Sequence, residues 1–133
     1  MSVYALDSNI ISFYLRGNAV VIENIEKAIS NGHSIVIPPI VYYEVKRGLM
    51  LVNATKQLKK FETLCELFSV GELGDYLLEE SISVYIQERK AGRNTEDADI
   101  FIATFCIHND YILVTDNIKH FHDITDLHYI NWA

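Results

Sequence analysis

Four acidic residues lie far apart along this 133-residue chain, yet share one peculiarity. Asp7, Glu44, Asp99 and Asp116 each sit at or just beyond an apolar stretch that should be buried. A lone buried carboxylate costs several kcal/mol or takes up a proton, whereas carboxylates that converge on a divalent cation are stable. Two carboxylates ~5 Å apart repel by roughly 3 kcal/mol at an effective dielectric of 20, which a bound cation would relieve. Oxygen-only donors without a matching Cys/His set favour Mg²⁺, with Mn²⁺ as a substitute, over zinc. Such ions polarise phosphodiesters and lower the pKa of an attacking water, so phosphodiester hydrolysis is the natural chemistry. Each acid also has a plainer reading. Asp7 would cap a helix, Asp99 would favour a helix N-terminus, and Asp116-Asn117 is ordinary turn chemistry after a strand.

The elements that must position these acids alternate. Val3 to Leu6 is too short for a helix and runs into Asp7-Ser8-Asn9, a good helix start, so a strand entering a helix is expected. Gly17-Asn18 breaks that helix, and a second amphipathic helix ends at Asn31-Gly32. Ser34 to Ile37 reads as the next strand. Pro38-Pro39 then open a helix that places Val41, Glu44, Val45 and Gly48 on one face.

Leu58, Phe61, Leu64, Cys65 and Phe68 follow at helical spacing, and Phe68 to Val70 reads as a short strand. From Asp75 a helix carries Leu78, Ile82, Tyr85 and Ile86 on one face and stops near Gly92. Thr95 is the expected cap of a central helix whose body, Ile100 to Ile107, is apolar nearly all round, with Asp99 on the face of Ile102, Ala103 and Cys106. Tyr111 to Thr115 is a further strand, and His128 to Ile130 an edge strand. Strands separated by helices require crossover connections, so the expected fold is α/β: one domain over residues 1–133, a three-layer α/β/α sandwich around a mostly parallel sheet of four to five strands.

Composition narrows the function. With 11 basic and 18 acidic residues the net charge is −7, which argues against holding nucleic acid by bulk attraction but does not exclude a nucleic-acid enzyme. The basic residues group as Lys46-Arg47, as Lys56, Lys59 and Lys60, and as Arg89, Lys90 and Arg93. Cys65 and Cys106 lie in apolar helical patterns without CxxC spacing and read as small hydrophobes in a reducing compartment. No stretch approaches the ~18 apolar residues of a membrane helix, so a soluble, cytoplasmic protein is expected. His120-Phe121-His122 suggests a metal pair but, without further ligands, reads as a loop feature, and Gly71-Glu72-Leu73-Gly74 has the form of a nucleic-acid-clamping GxxG but reads as a turn. There is no GxxxxGK loop and no GxSxG elbow.

The chain resembles the PIN-domain family, in particular the VapC toxins of toxin–antitoxin pairs, over nearly its whole length. The carriers are Leu6-Asp7-Ser8-Asn9, Val41 to Glu44, Asp99-Ile100-Phe101-Ile102-Ala103, Leu113-Val114-Thr115-Asp116-Asn117 leading to His120-Phe121, and Asn131-Trp132. The resemblance implies a magnesium-dependent endoribonuclease with Asp7, Glu44 and Asp99 as metal ligands and a fourth polar ligand near the end of the fourth strand. Family members usually place Asp or Asn two residues after the threonine, here Asn117, whereas Asp116 comes one residue early.

Ser8, Asn9 and Thr115, which border that cluster in sequence, are candidates for binding the substrate together with Lys46, Arg47 and Arg93, which would hold an RNA backbone. The resemblance also implies a VapB-like antitoxin packing along helices beside the site, and a homodimer. The apolar stretch Leu49 to Val52, near Phe61, is a candidate surface for the antitoxin. Two alternatives remain at this point. One is a receiver-like Mg²⁺-binding phosphoacceptor, which would want paired acids after the first strand and a lysine after a late one, whereas Asp7 has no adjacent acid and no lysine closely follows Thr115. The other is a PIN-like scaffold that binds RNA without cutting.

Overall fold

A computed structural model describes residues 1–133. The chain alternates as expected: β1 (Val3–Leu6), α1 (Ser8–Leu15), α2 (Ala19–Ser30), β2 (Ser34–Ile37), α3 (Pro39–Leu51), α4 (Thr55–Leu67), β3 (Ser69–Val70), α5 (Tyr76–Lys90), α6 (Asp97–Asn109), β4 (Ile112–Val114), α7 (Ile118–Phe121) and β5 (His128–Ile130). The five strands form one sheet in the order β3-β2-β1-β4-β5, and every pair is parallel. Parallel sheets must be covered on both faces, and the helices that make the crossovers provide that cover, giving the PIN-like α/β/α sandwich.

The strand order decides where a ligand can sit. From β1 the chain moves outward through β2 to β3, then returns across the sheet to place β4 on the other side of β1. In such sheets the crevice lies outside the carboxyl ends of the strands, where the winding direction reverses. Here that point lies between β1 and β4, paired with Leu6 opposite Val114. A receiver module has the order β2-β1-β3-β4-β5 instead, so the topology removes that alternative.

Local chemistry explains the ends of the elements. Gly17, at φ +80°, takes the left-handed conformation that closes α1, and the Asn18 N–H returns to the Phe13 carbonyl at 2.9 Å. Asn18 then caps α2, its Oδ1 accepting from the Val21 N–H at 3.1 Å. Beneath the sheet and helices one continuous core runs from Ala5 and Leu6 through Ile37, Phe61, Ile102, Leu113 and Phe121 to Trp132. Both cysteines are free thiols, Cys106 buried and Cys65 half-buried.

Three expectations change. The α6 cap is Glu96, not Thr95, because the Thr95 hydroxyl donates to Glu88 Oε1 at 2.6 Å and is unavailable. The segment 118–121 is a short helix, which the two-histidine pattern did not reveal. On α5 the stripe Leu78, Ile82, Tyr85 and Ile86 faces outward, with Leu78 68% and Ile82 52% exposed. The helix instead packs through Leu77, Ser81 and Glu88, and the Ser81 hydroxyl donates to Thr104 on α6 at 3.0 Å. A polar pair at the α5–α6 contact thus takes the inward position that periodicity would give to the apolar stripe.

Candidate active site

Asp7 occupies the switch point. It follows β1 directly, and its backbone N–H donates to the Val114 carbonyl at 2.9 Å, extending the β1–β4 pairing. The side chain is 3% exposed. Oδ1 accepts from the Ser8 N–H at 2.7 Å, so Asp7 caps α1, and Oδ2 accepts from the Thr115 hydroxyl at 2.7 Å and from Asn9 Nδ2 at 3.2 Å. The capping role and a role in a site coexist, because a carboxylate has lone pairs left after accepting these bonds.

Glu44 and Asp99 face the same region from α3 and from the first turn of α6. Burial raises the Glu44 carboxyl above its usual range, and the charges of Asp7 and Asp99 raise it further, against a lowering by Arg47. Burial likewise raises Asp99, followed by the charge of Asp7, while His120 lowers it. The charge of Asp7 is therefore felt by both carboxylates. As the side chains stand, no three His, Cys, Asp or Glu residues cage an ion. Charge acts over longer distances than ligation, so a common ion would require Glu44 and Asp99 to turn toward Asp7.

The remaining sequence candidates divide. Asp116 is exposed and turns to Asn131, whose Nδ2 donates to its Oδ1 at 3.1 Å, while its backbone N–H donates to Asn9 Oδ1 at 2.9 Å. It is not among the charges that shift Glu44 or Asp99. The Asn117 N–H donates to the Thr115 hydroxyl at 3.0 Å, and Asn117 lines a cleft with Ser8, Asn9, Glu44 and Arg47. Thr115 is buried and ties Asp7, Asn9 and Asn117 together. Lys46 donates to the Tyr42 hydroxyl at 3.0 Å. Arg93 is held by Glu88, with its Nε 3.0 Å from both carboxylate oxygens.

Two residues at the site escaped sequence reasoning. His120 Nδ1 lies 3.0 Å from Asp99 Oδ2, because α7 folds back over the start of α6. Glu96, the α6 cap, adds negative charge to both Glu44 and Asp99. Neither is an acid on an apolar face or at the end of a strand, the patterns that marked the others.

No protein-family model matches the chain. It is similar to Ribonuclease VapC1 of Haemophilus influenzae (strain R2866), with 27% identity over 133 residues that span 98% of each protein. The corresponding protein of strain ATCC 51907 / DSM 11121 / KW20 / Rd is 26% identical over the same span. Among solved structures, VapBC-1 from nontypeable Haemophilus influenzae superposes with a TM-score of 0.85 at 26% identity, covering 98% of both chains. The chain is VapC-like. A second superposition, on VapBC2 from Rickettsia felis bound to a DNA fragment from its promoter, gives a TM-score of 0.91 at 22% identity over 98% of this chain and 99% of that one, and supports the fold. The VapC-like similarity thus runs from end to end and includes the strands and helices that carry Asp7, Glu44 and Asp99. No helix is long and apolar enough to cross a membrane.

Proposed function

We propose that the protein is a Mg²⁺-dependent endoribonuclease, the toxin of a type II toxin–antitoxin pair, with Asp7, Glu44 and Asp99 as the metal ligands and Asn117 or Asp116 assisting through water. The observation that carries the reading is the position of Asp7. It sits at the one reversal of winding in the sheet, with two perturbed carboxylates beside it, in a chain similar over its length to proteins named ribonucleases. The donor set fits a hard divalent cation: all oxygen, acidic, and with Glu44 free of any ion-pair partner. Bound there, Mg²⁺ or Mn²⁺ would polarise an RNA phosphodiester and supply an activated water.

The chain's own residues do the positioning. The Ser8 N–H and the Thr115 hydroxyl fix the two Asp7 oxygens from opposite sides, so the carboxylate is oriented before any ligand arrives. Asn9 braces Asp7 through Nδ2 and the turn at Asp116 through Oδ1. Arg47, on the same helix as Glu44, lowers the carboxyl's tendency to hold a proton and stands ready for phosphate.

A VapB-like antitoxin is the proposed inhibitor. Met50, Leu51 and Val52 at the α3–α4 junction are strongly exposed and continue from the helix that carries Glu44, so a partner covering them would reach the site. The homodimer implied by the resemblance has a second apolar face available on α5. The deciding experiment is digestion of total RNA by the purified protein with and without Mg²⁺, with mapping of new 5′ ends. Discrete cuts that need Mg²⁺ and vanish in Asp7→Asn and Asp99→Asn are expected. Losing several kcal/mol of charge stabilisation costs more than about 100-fold in rate. Full activity in both folded variants would refute the mechanism, and RNA binding without any cut would favour the scaffold reading.

A further inference from the structure

Two clefts with separate linings border the acids, one at Glu44 and the other at Asp99. One, about 460 Å³, is lined by Ser8, Asn9, Glu44, Arg47, Gln57 and Asn117 among others. The second, about 300 Å³, is lined by Arg93, Asn94, Glu96, Asp99, Lys119 and His120 among others, with no hydrophobic residue. The Asn117–Phe121 segment supplies a wall to both, since Asn117 borders the first cleft while Lys119 and His120 border the second. Glu44 belongs to one cleft and Asp99 to the other, and Asp7 perturbs both.

The cations in these clefts are not equivalent. Arg93 is committed to Glu88, and Lys46 nearby is committed to Tyr42. Arg47 and Lys119, the other basic residues that line these clefts, make no ion pair. Arg47 is pre-set by its guanidinium lying 4.8 Å over the Tyr43 ring, which leaves its N–H donors free. One cation without an ion pair therefore lines each cleft bordering the acids, an arrangement suited to an anion with charge on both sides of a central point.

We propose that a single RNA strand crosses the acids through both clefts, with Arg47 gripping the backbone on one side of the scissile phosphate and Lys119 on the other. The inference rests on the endoribonuclease reading and extends it to the substrate path. Clefts of about 300 and 460 Å³ lie at the low end of small-ligand pockets, ~300–1,000 Å³, and suit unpaired nucleotides. Duplex RNA is instead read by shape over about 16 base pairs. The grip on both sides also accounts for cutting within a strand rather than from an end. With few cations engaged, binding is weak and moderately salt-dependent, in keeping with the overall negative charge.

The test uses the full chain carrying Asp7→Asn, so that RNA binds uncut, and a labelled oligouridine of about 12 nucleotides followed by anisotropy over a salt series. Adding Arg47→Ala or Lys119→Ala is expected to weaken binding and to reduce the magnitude of the salt slope by about 0.7 each, while a duplex of equal length competes poorly. In the otherwise unaltered protein each substitution should raise KM, Lys119→Ala with kcat little changed, and Lys119→Glu should exceed Lys119→Ala. Melting curves verify that the variants are folded, as expected for exposed positions. If the unaltered protein cuts RNA while both variants keep its KM and salt slope, the strand path is overturned and the nuclease reading survives. If the unaltered protein neither cuts nor binds RNA, the nuclease reading fails and takes this path with it.

Discussion

The Thr115 hydroxyl donates to Asp7 Oδ2 across 2.7 Å, joining the end of β4 to the end of β1 over 108 residues of sequence. The same hydroxyl oxygen accepts from the Asn117 N–H at 3.0 Å, so one buried group orients the central acid and the turn behind it. Thr115→Val keeps the approximate shape but leaves Asp7 Oδ2 one donor short and the Asn117 N–H unpaired. The expected cost is about 1–2 kcal/mol of stability and roughly a tenfold loss of Mg²⁺ affinity, with Thr115→Ser restoring both. Calorimetric titration with Mg²⁺ provides the check, and an unchanged affinity in Thr115→Val would show that the hydroxyl does not tune the site.

The acids should act against folding when no cation is present. Glu44 and Asp99 have folded pKa values above the ordinary 4.5 and 3.8, so the fold favours their neutral forms. The penalty is absent well below those ordinary values, grows as pH rises, and is complete above the raised folded values. Glu44→Gln should therefore raise the metal-free melting temperature at neutral pH, and the gain should shrink toward pH 4. Mg²⁺ at 100 times its dissociation constant should add ~2.7 kcal/mol to the unaltered protein and much less to the variant. Thermal melts at several pH values, with and without Mg²⁺, test both signs. A variant less stable than the parent at neutral pH would contradict the repulsion argument.

The two exposed apolar faces are expected to serve different partners. Leu51→Asp, at a position 82% exposed on the α3–α4 junction, should weaken antitoxin binding with little effect on the free chain's stability. Ile82→Asp on α5 should leave antitoxin binding intact and shift the protein toward monomer. Sedimentation of the free protein, and titration of each variant with the antitoxin, separate the two. An antitoxin that binds Leu51→Asp as tightly as the parent would remove the α3–α4 junction from consideration.

Sequence legibility followed the physics of each feature. The strand–helix alternation was readable because each strand is a short apolar run closed by a capping or turn residue, as at Leu6-Asp7-Ser8 and Pro38-Pro39. Asp7, Glu44 and Asp99 stood out because each interrupts an apolar pattern. His120 and Glu96 did not, since both lie on polar segments and reach the site only through tertiary folding of α7 over α6. The outward stripe on α5 was invisible for a related reason: periodicity tells which residues share a face but not which face turns inward. There the Ser81–Thr104 and Glu88–Arg93 pairs decide the orientation.

Glu88 shows how a residue remote from the acids can govern one of them. It is 2% exposed, accepts from Arg93 and from Thr95, and Arg93 reaches on to the Asp123 carbonyl at 3.2 Å. This clamp holds residues 91–96, the segment that launches α6 and so sets the position of Asp99 in its first turn. The Arg93 and Thr95 hydrogen bonds lower the Glu88 carboxyl below its usual range despite burial. A lowered folded pKa means stability that is present above the unfolded value of 4.5 and is lost as pH falls through the lower folded one. Glu88→Gln should cost about 2 kcal/mol at neutral pH, a fall of roughly 8 °C in melting temperature, because a buried acceptor of charged and hydroxyl donors loses its charge. The deficit should narrow below pH 4.5, where the parent loses the same charge. This acid-side narrowing opposes the trend for Glu44 and Asp99, whose penalty is relieved by acid, so the two contributions can be separated in one pH series. A Glu88→Gln protein as stable as the parent at neutral pH would mean that the clamp contributes nothing and that Asp99 is held by the packing of α6 alone.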